Sequence, residues 1–301
     1  MAEIYVLGLD IGGTNIRMGL VNRNGEVFDV RVLPSKRVYE SGDTPFALCA
    51  VIAAYLSEYG KRREVAVISA GFPSVLDRKR EKILSSTNLT GLDGINIVRY
   101  MEEKLGIRTV IEHDAYYLLR YDMKQRGVER EGVSIGLYYG TGMGNAMFID
   151  GKPFYGKHGT ACELGHIALS SAELLCSCGN TGCIEMRCCG KALERIWKEC
   201  FPEAEIGMLF EKYAETKVLK DFVDCMAIAA SAEINIIDPD YIFLGGGLVN
   251  MKGFPKEYLS EQIVAHTRKP YPAEDLELIY TPDFPEKGIL GAAAAAFYAL
   301  Q

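Results

Sequence analysis

The chain has 301 residues, 49% hydrophobic and 24% charged, with a formal net charge of -7 and a pI near 5.3. That length holds about two domains with real cores, and the acidic balance argues against a nucleic-acid partner, because phosphate backbones are met by a basic face. Nine cysteines, an odd number, make no disulfide framework in so long a chain, so a reducing, cytoplasmic setting is expected. No basic segment leads into an apolar one at the start, and the longest apolar stretch, 288–300, is too short to span a bilayer, so no membrane partner is expected.

Taken in order, residues 4–10 read as a buried strand, Gly12, Gly13 and Thr14 as a tight turn, and 15–21 as a second strand. Asn24-Gly25 marks a hairpin into a third strand, 26–33. Phe46, Ala50, Ala53, Ala54 and Leu56 have helical spacing that stops before Gly60, and 64–70 is another strand. Residues 71–94 carry too many turn formers for a regular element and are expected to form a long loop, of the kind that carries function at a strand end. A helix over 95–105, a strand over 108–113 and a helix over 115–125 follow.

The second half begins as the first did, with a strand over 133–139, a turn from Gly140 to Gly144, a strand over 145–149 and a hairpin turn at Asp150-Gly151. Such repetition predicts two similar α/β lobes, one of residues 1–115 with 288–301 and a larger one of 116–287. Helices over 190–198, 209–214, 219–237 and 255–268, strands over 241–244 and 276–280, and a last helix after Lys287 complete the chain. Cys188, Cys189, Trp197, Tyr116, Tyr117 and Tyr121 read as packing residues, and Asn235 and Asp238 as a helix end before Pro239.

Two features carry chemistry. Backbone N–H groups of glycine turns approach phosphate oxygens closely, and three such turns stand at strand ends, with Asp10 placed to hold a hydrated Mg²⁺. Glycine-rich hairpins without a ligand are the alternative; neither a Walker motif nor a dinucleotide fingerprint is present. The other feature is Cys176, Cys178 and Cys183 around Gly179 and Gly182, with His166 upstream. One imidazole and three thiolates fit a closed structural Zn²⁺ site, against ordinary buried cysteines. A closed site does no chemistry itself, so its use would be to hold Glu163, His166 and Glu185 rigid toward a ligand rich in hydroxyls.

Residues Asp10 to Thr14, the turn from Gly140 to Gly144, Gly245 to Gly247, the run Glu163-Leu164-Gly165-His166 and the cysteine block through Glu185 resemble, in order and spacing, the ROK family of sugar kinases and repressors. The resemblance covers essentially the whole chain. It implies an α/β, actin-like ATPase (ribonuclease H-like) fold, two lobes with ATP and an aldohexose in the cleft between them, and a homodimer. Phosphates would meet Asp10, Gly12, Gly13, Thr14 and Asn15 on one side and Gly140, Thr141 and Gly142 on the other, with Gly245, Gly246 and Gly247 at the adenosine.

Asp114 matches the family's catalytic base; it could equally serve as a helix N-cap before Ala115, or do both. The sugar set carried over is Gly71, Asn88, His113, Asp114, Glu163, His166 and Glu185, His166 having one ring nitrogen on zinc and the other toward the sugar. The chain departs from the family at His113 and Tyr116, where Asn is usual, at Cys162 for Gly and at Thr87 for Pro. Within the family, Gly71-Phe72-Pro73, Ser85 to Leu89, Gly140 to Gly144 and Phe254-Pro255 are most similar to bacterial D-allose kinases. The reaction implied is phosphorylation of an aldohexose at its 6-hydroxyl, with glucokinase and N-acetylhexosamine kinase as alternatives. A sugar-sensing repressor is disfavoured because only nine residues precede Asp10, and a zinc-bearing interaction module would require that ATP not bind.

Overall fold

A computed structural model describes residues 3–60, 63–86, 89–169 and 174–300. In chain order the elements are β1 (Ile4–Ile11), β2 (Asn15–Val21), β3 (Val27–Pro34), α1 (Lys36–Tyr39), α2 (Thr44–Tyr59), β4 (Glu64–Phe72), β5 (Val75–Leu76), β6 (Ile83–Ser85), α3 (Ile97–Leu105), β7 (Thr109–His113) and α4 (Asp114–Arg126). Then come β8 (Val133–Tyr139), β9 (Met143–Ile149), β10 (Lys152–Pro153), α5 (Glu185–Cys188), α6 (Gly190–Cys200), α7 (Leu209–Tyr213), α8 (Lys217–Ile237), β11 (Tyr241–Gly245), α9 (Lys256–His266), β12 (Leu278–Tyr280) and α10 (Lys287–Ala299). No helix among the described residues is long and apolar enough to cross a membrane.

The first compact unit comprises Met1–Gly127, Tyr155–Ala161 and Phe284–Gln301. Its sheet has the order β3-β2-β1-β4-β7, antiparallel from β3 to β1 and parallel from β1 to β7. β1 and β4 are apolar nearly throughout because both faces of a parallel sheet are covered. Leu7, Leu9, Ile11, Ile68 and Ala70 share a core with Leu48 and Ile52 of α2 and Met101 of α3. α10 lies against β1 and α4. Glycine sets the approach: a Cβ on Gly8 would stand 2.5 Å from the Ile289 carbonyl oxygen, and one on Gly291 2.0 Å from that of Tyr117.

The second unit comprises Val128–Phe154 and Cys162–Asp283. Its sheet runs β10-β9-β8-β11-β12, with β8 antiparallel to β9 and parallel to β11. β2-β1-β4 and β9-β8-β11 therefore pair in the same senses around a glycine turn, which is the repeat that the two turns predicted. Leu219, Phe222, Val223, Met226, Ala230 and Ile234 of α8 fill the core of this unit.

Two expectations are modified. Residues 71–94 are not all loop, because β4 continues through Phe72 and β5 pairs with β6 as a two-stranded ribbon. The turn joining them is closed by Asp77, whose Oδ1 accepts from the N–H groups of Glu81 and Lys82, so turn formers hid a regular element. The first unit extends past Ala115 to Gly127, a left-handed C-cap with φ 75°, because α4 packs on α10. It also takes in the stretch 155–161, which chain order alone would give to the second.

Candidate functional site

In the first unit the parallel strands end on one edge. The registers Asp10↔Gly71, Gly71↔Glu112 and Phe72↔His113 bring Asp10, Gly71, Glu112 and His113 to the carboxyl ends of β1, β4 and β7, where open α/β sheets bind ligands. The turn after β1 is shaped by its own backbone: Gly12 N–H donates to the Asn15 carbonyl at 2.9 Å, Ser35 Oγ donates to the Gly12 carbonyl at 2.6 Å, and Ser35 N–H to that of Thr14 at 2.9 Å. Asp10 pairs with Arg17, Nη1 to Oδ2 at 3.1 Å. A Cβ on Gly288, near the start of α10, would stand 2.7 Å from the Asp10 Cγ, so the positive end of that helix comes up to the carboxylate.

Asp114 is the first residue of α4 and its Oδ1 accepts from Ala115 N–H at 2.7 Å, but the N-cap is His113 and not Asp114, because the helix begins one residue before Ala115 and His113 is the last residue outside it. His113 Nδ1 lies 3.1 Å from the same oxygen and 3.3 Å from Ala115 N. A Cβ on Gly71 would stand 3.4 Å from the Asp114 Cα, so the glycine backbone abuts Asp114. Both side chains keep access to solvent, 25% for His113 and 30% for Asp114. Asn88 and Thr87, expected beside the sugar, lie outside the described residues.

In the second unit the turn after β8 closes on itself, Gly140 N–H donating to the Gly142 carbonyl at 2.9 Å, while the Gly140 carbonyl accepts from Gly190 N–H at 2.7 Å at the start of α6. Glu185 belongs to this turn: its Oε2 accepts from Met143 N–H at 2.9 Å and would meet a Cβ on Gly142 at 2.7 Å. A Cβ on Gly165 would stand 3.4 Å from that of Glu185, which joins the turn to the 3-10 turn Leu164–His166. At the end of β11, Gly246 has φ 90° and lies against Tyr139, whose carbonyl oxygen a Cβ would meet at 2.5 Å. Asn250 Nδ2 donates to the Gly246 carbonyl at 3.0 Å and fixes that turn.

His166, Cys176, Cys178 and Cys183 offer ligand atoms that all lie within 4.8 Å of one another. Bridges Ala168↔Cys183 and Leu175↔Thr181, with Gly179 at φ 93° and Gly182 at φ 75°, fold the loop to that end. Zn–S bonds of about 2.3 Å and Zn–N bonds of about 2.0 Å put tetrahedral edges at roughly 3.8 Å for S···S and 3.5 Å for N···S. The Cys178 and Cys183 sulfurs are 3.7 Å apart, and Cys176 Sγ is 3.5 Å from His166 Nδ1. Burial and then the neighbouring thiols push the Cys183 thiol up to about 12, so its thiolate would form here only beside a cation. His166 Nε2, the other ring nitrogen, is 3.6 Å from Glu163 Oε2. Cys188 and Cys189 are fully buried and burial raises both thiols, as core residues should behave.

Two participants were absent from the sequence reading. Arg17 faces Asp10 across the hairpin, and counting antiparallel register out from the Gly12-Gly13 turn finds it. Glu112 lies buried directly before His113, and only its charge inside an apolar strand marks it; its partner Arg80 belongs to the cluster Arg78-Lys79-Arg80, which the sequence reads as a solvated loop end and the structure instead draws into an ion pair.

The sequence pattern of one family, described as the ROK family, matches residues 6–298. A glucokinase of Thermotoga maritima is 24% identical over 98% of each chain, and an N-acetyl-D-glucosamine kinase of Aliivibrio fischeri is 28% identical over 84% of this chain and 90% of that one. A ROK family glucokinase from Streptomyces griseus, solved in complex with glucose and AMPPNP, superposes with a TM-score of 0.82 at 22% identity, covering 97% of this chain and 98% of that one. The fold is the α/β, actin-like ATPase type expected.

Proposed function

Since this chain belongs to the ROK family, we propose that it is a sugar kinase that transfers the terminal phosphoryl group of ATP to the 6-hydroxyl of an aldohexose. The observation that supports this most is the strand edge of the first unit, where Asp114 stands beside His113 and Gly71, with Asp10 on the neighbouring strand end. Asp114 takes the proton of the attacking hydroxyl, a contribution of ~10²–10⁴ in rate. Backbone N–H groups from Gly12 to Asn15 and from Gly140 to Gly142 hold phosphate oxygens, and Gly245 to Gly247 border the adenosine. Asp10 would hold Mg²⁺, which neutralises charge on the transferring phosphoryl group.

The sugar hydroxyls are read by Gly71, Asn88, His113, Asp114, Glu163, His166 and Glu185, a polar set that rejects analogues lacking a hydroxyl. Structural Zn²⁺ is assigned to His166, Cys176, Cys178 and Cys183, on the strength of the tetrahedral spacings. With Nδ1 so engaged, His166 keeps its proton on Nε2, turned to Glu163. Purified protein is expected to carry one zinc per chain by atomic absorption, and a zinc-free chain that retains full activity removes the assignment.

D-allose or a near relative is the proposed substrate, on the resemblance of Gly71-Phe72-Pro73, Ser85 to Leu89, Gly140 to Gly144 and Phe254-Pro255 to D-allose kinases, while His113 and Tyr116 in place of the usual Asn weaken an assignment to glucose. A coupled ADP-release assay over allose, glucose, mannose, N-acetylglucosamine and N-acetylmannosamine tests it. A clear lead for an acetamido sugar overturns the allose reading and leaves the kinase. Asp114→Asn is expected to retain sugar binding while kcat falls by ~10²–10⁴; turnover near wild type takes the role of base away from Asp114.

A further inference from the structure

We propose that Arg80 and Tyr155 are positioning residues for this reaction, clamping the segment Tyr155–Ala161 onto Glu112, the strand residue that immediately precedes His113 and Asp114. The proposal rests on the sugar-kinase reading for its kinetic consequence and on geometry for the clamp itself.

Glu112 is only 7% exposed at the carboxyl end of β7. Its Oε1 accepts from the N–H of His113 at 2.8 Å and lies 2.9 Å from Arg80 Nε, at an angle that makes a close ion pair rather than a directed hydrogen bond. Its Oε2 accepts from the Tyr155 hydroxyl. The Arg80 guanidinium sits 3.8 Å over the Tyr155 ring and 5.7 Å over that of Tyr116, and its Nη1 donates to the Gly159 carbonyl at 2.9 Å. One planar cation thus joins the strand end, the ring and the main chain of the segment.

The backbone confirms that the segment is seated rather than draped. Gly159 has φ 85°, and a Cβ there would stand 2.8 Å from main-chain atoms of Leu76, Asp77 and Arg78. Arg80 has φ 56°, a left-handed conformation unfavourable for a non-glycine residue, and its partners on three sides hold it there.

An apolar side chain would fill the same volume without desolvating two charges, so a buried ion pair here is better explained by aim than by stability. Two things are aimed. The Glu112 carboxylate fixes the peptide that leads into His113, and the clamped segment leads within two residues of Ala161 to Glu163. Loosening the clamp therefore acts on groups assigned to the sugar and leaves the glycine turns assigned to ATP untouched.

Steady-state kinetics of Arg80→Met, Arg80→Lys and Tyr155→Phe, measured well below each variant's Tm, separate positioning from scaffolding. Arg80→Met is expected to raise the sugar KM and lower kcat by ~10-fold each, with the ATP KM within about twofold of wild type. Arg80→Lys does not rescue, because an ammonium cannot serve Glu112 and Gly159 while stacking on Tyr155. Tyr155→Phe keeps the ring and shows the same split at roughly 3-fold. If Arg80→Met fails to fold, the Tyr155→Phe split decides.

Folded variants with wild-type sugar KM and kcat overturn the positioning role. Hydrogen exchange gives a readout that does not need turnover: Arg80→Met is expected to speed exchange at the amides of 155–161 and of His113 while β1 stays protected. Unchanged exchange overturns the clamp. A wild-type chain inactive on every sugar sinks the kinase reading instead, and the exchange experiment still judges the clamp.

Discussion

In the unit built on β3-β2-β1-β4-β7, buried charge comes as opposite-sign pairs, Arg80 with Glu112 and Lys287 with Asp122. In the unit built on β10-β9-β8-β11-β12, the carboxyl of Glu233, 6% exposed, is met by the neutral amide of Asn145, whose Nδ2 lies 3.0 and 3.2 Å from its two oxygens. A cation opposes the rise that burial gives a carboxyl and fixes where it points, although burial still outweighs Arg80 at Glu112; a neutral amide opposes that rise without adding a charge. The pairs of the first unit also adjoin candidate site residues, since Glu112 precedes His113 and Lys287 precedes Gly288, which lies on Asp10. Two sheets of one topology have thus buried polar groups to different ends.

Breaking a pair is the harshest test of that contrast. Lys287 Nζ lies 2.8 Å from Asp122 Oδ2 with each side chain 3% exposed, so Lys287→Met takes the ammonium away from a buried carboxylate in the interface of α4 and α10. The expected loss is about 3–5 kcal/mol in denaturant unfolding of the full chain. Asp122→Leu with Lys287→Met should recover part of it, because the uncompensated charge is gone. A single variant within about 1 kcal/mol of wild type would mean that the charge finds water, and the contrast between the units would fall.

What the sequence disclosed depends on how far apart the partners are. Glycine hairpins at Gly12-Gly13 and Gly140–Gly144 are local, and so are the four metal-ligand candidates, all between His166 and Cys183, which is why both were legible. Asp114 was singled out because it matches the family's catalytic base, and its place where β7 gives way to α4 agrees with that reading. Tyr155 and Glu112 stand 43 positions apart, Glu185 and Met143 42, and nothing in either neighbourhood names the other. Gly288 and Gly291 looked like ordinary members of an alanine-rich helix, yet their missing Cβ atoms let α10 reach Asp10 and Tyr117. Glu233 read as one polar residue of a long helix; its depth emerges only when α8 is laid on β9.

The contrast is sharpened most gently at Glu233 itself. Burial raises its carboxyl to about 7 from 4.5, and the hydrogen bond from Asn145 pulls only part of the way back. Between pH 4.5 and 7 the unfolded chain has released this proton and the folded chain still holds it, so stability falls as pH rises through that window and levels off above it. The shift corresponds to about 3 kcal/mol of lost stability at pH 8. Glu233→Gln keeps the shape and cannot ionise, and its amide can donate to Asn145 Oδ1, which has no hydrogen-bond partner among the described residues. The variant should match wild type near pH 5 and exceed it by about 2–3 kcal/mol at pH 8, read from guanidinium midpoints at the two pH values. A loss at both pH values would mean that Glu233 is ionised throughout and held by a cation, which would make the second unit bury charge as the first one does.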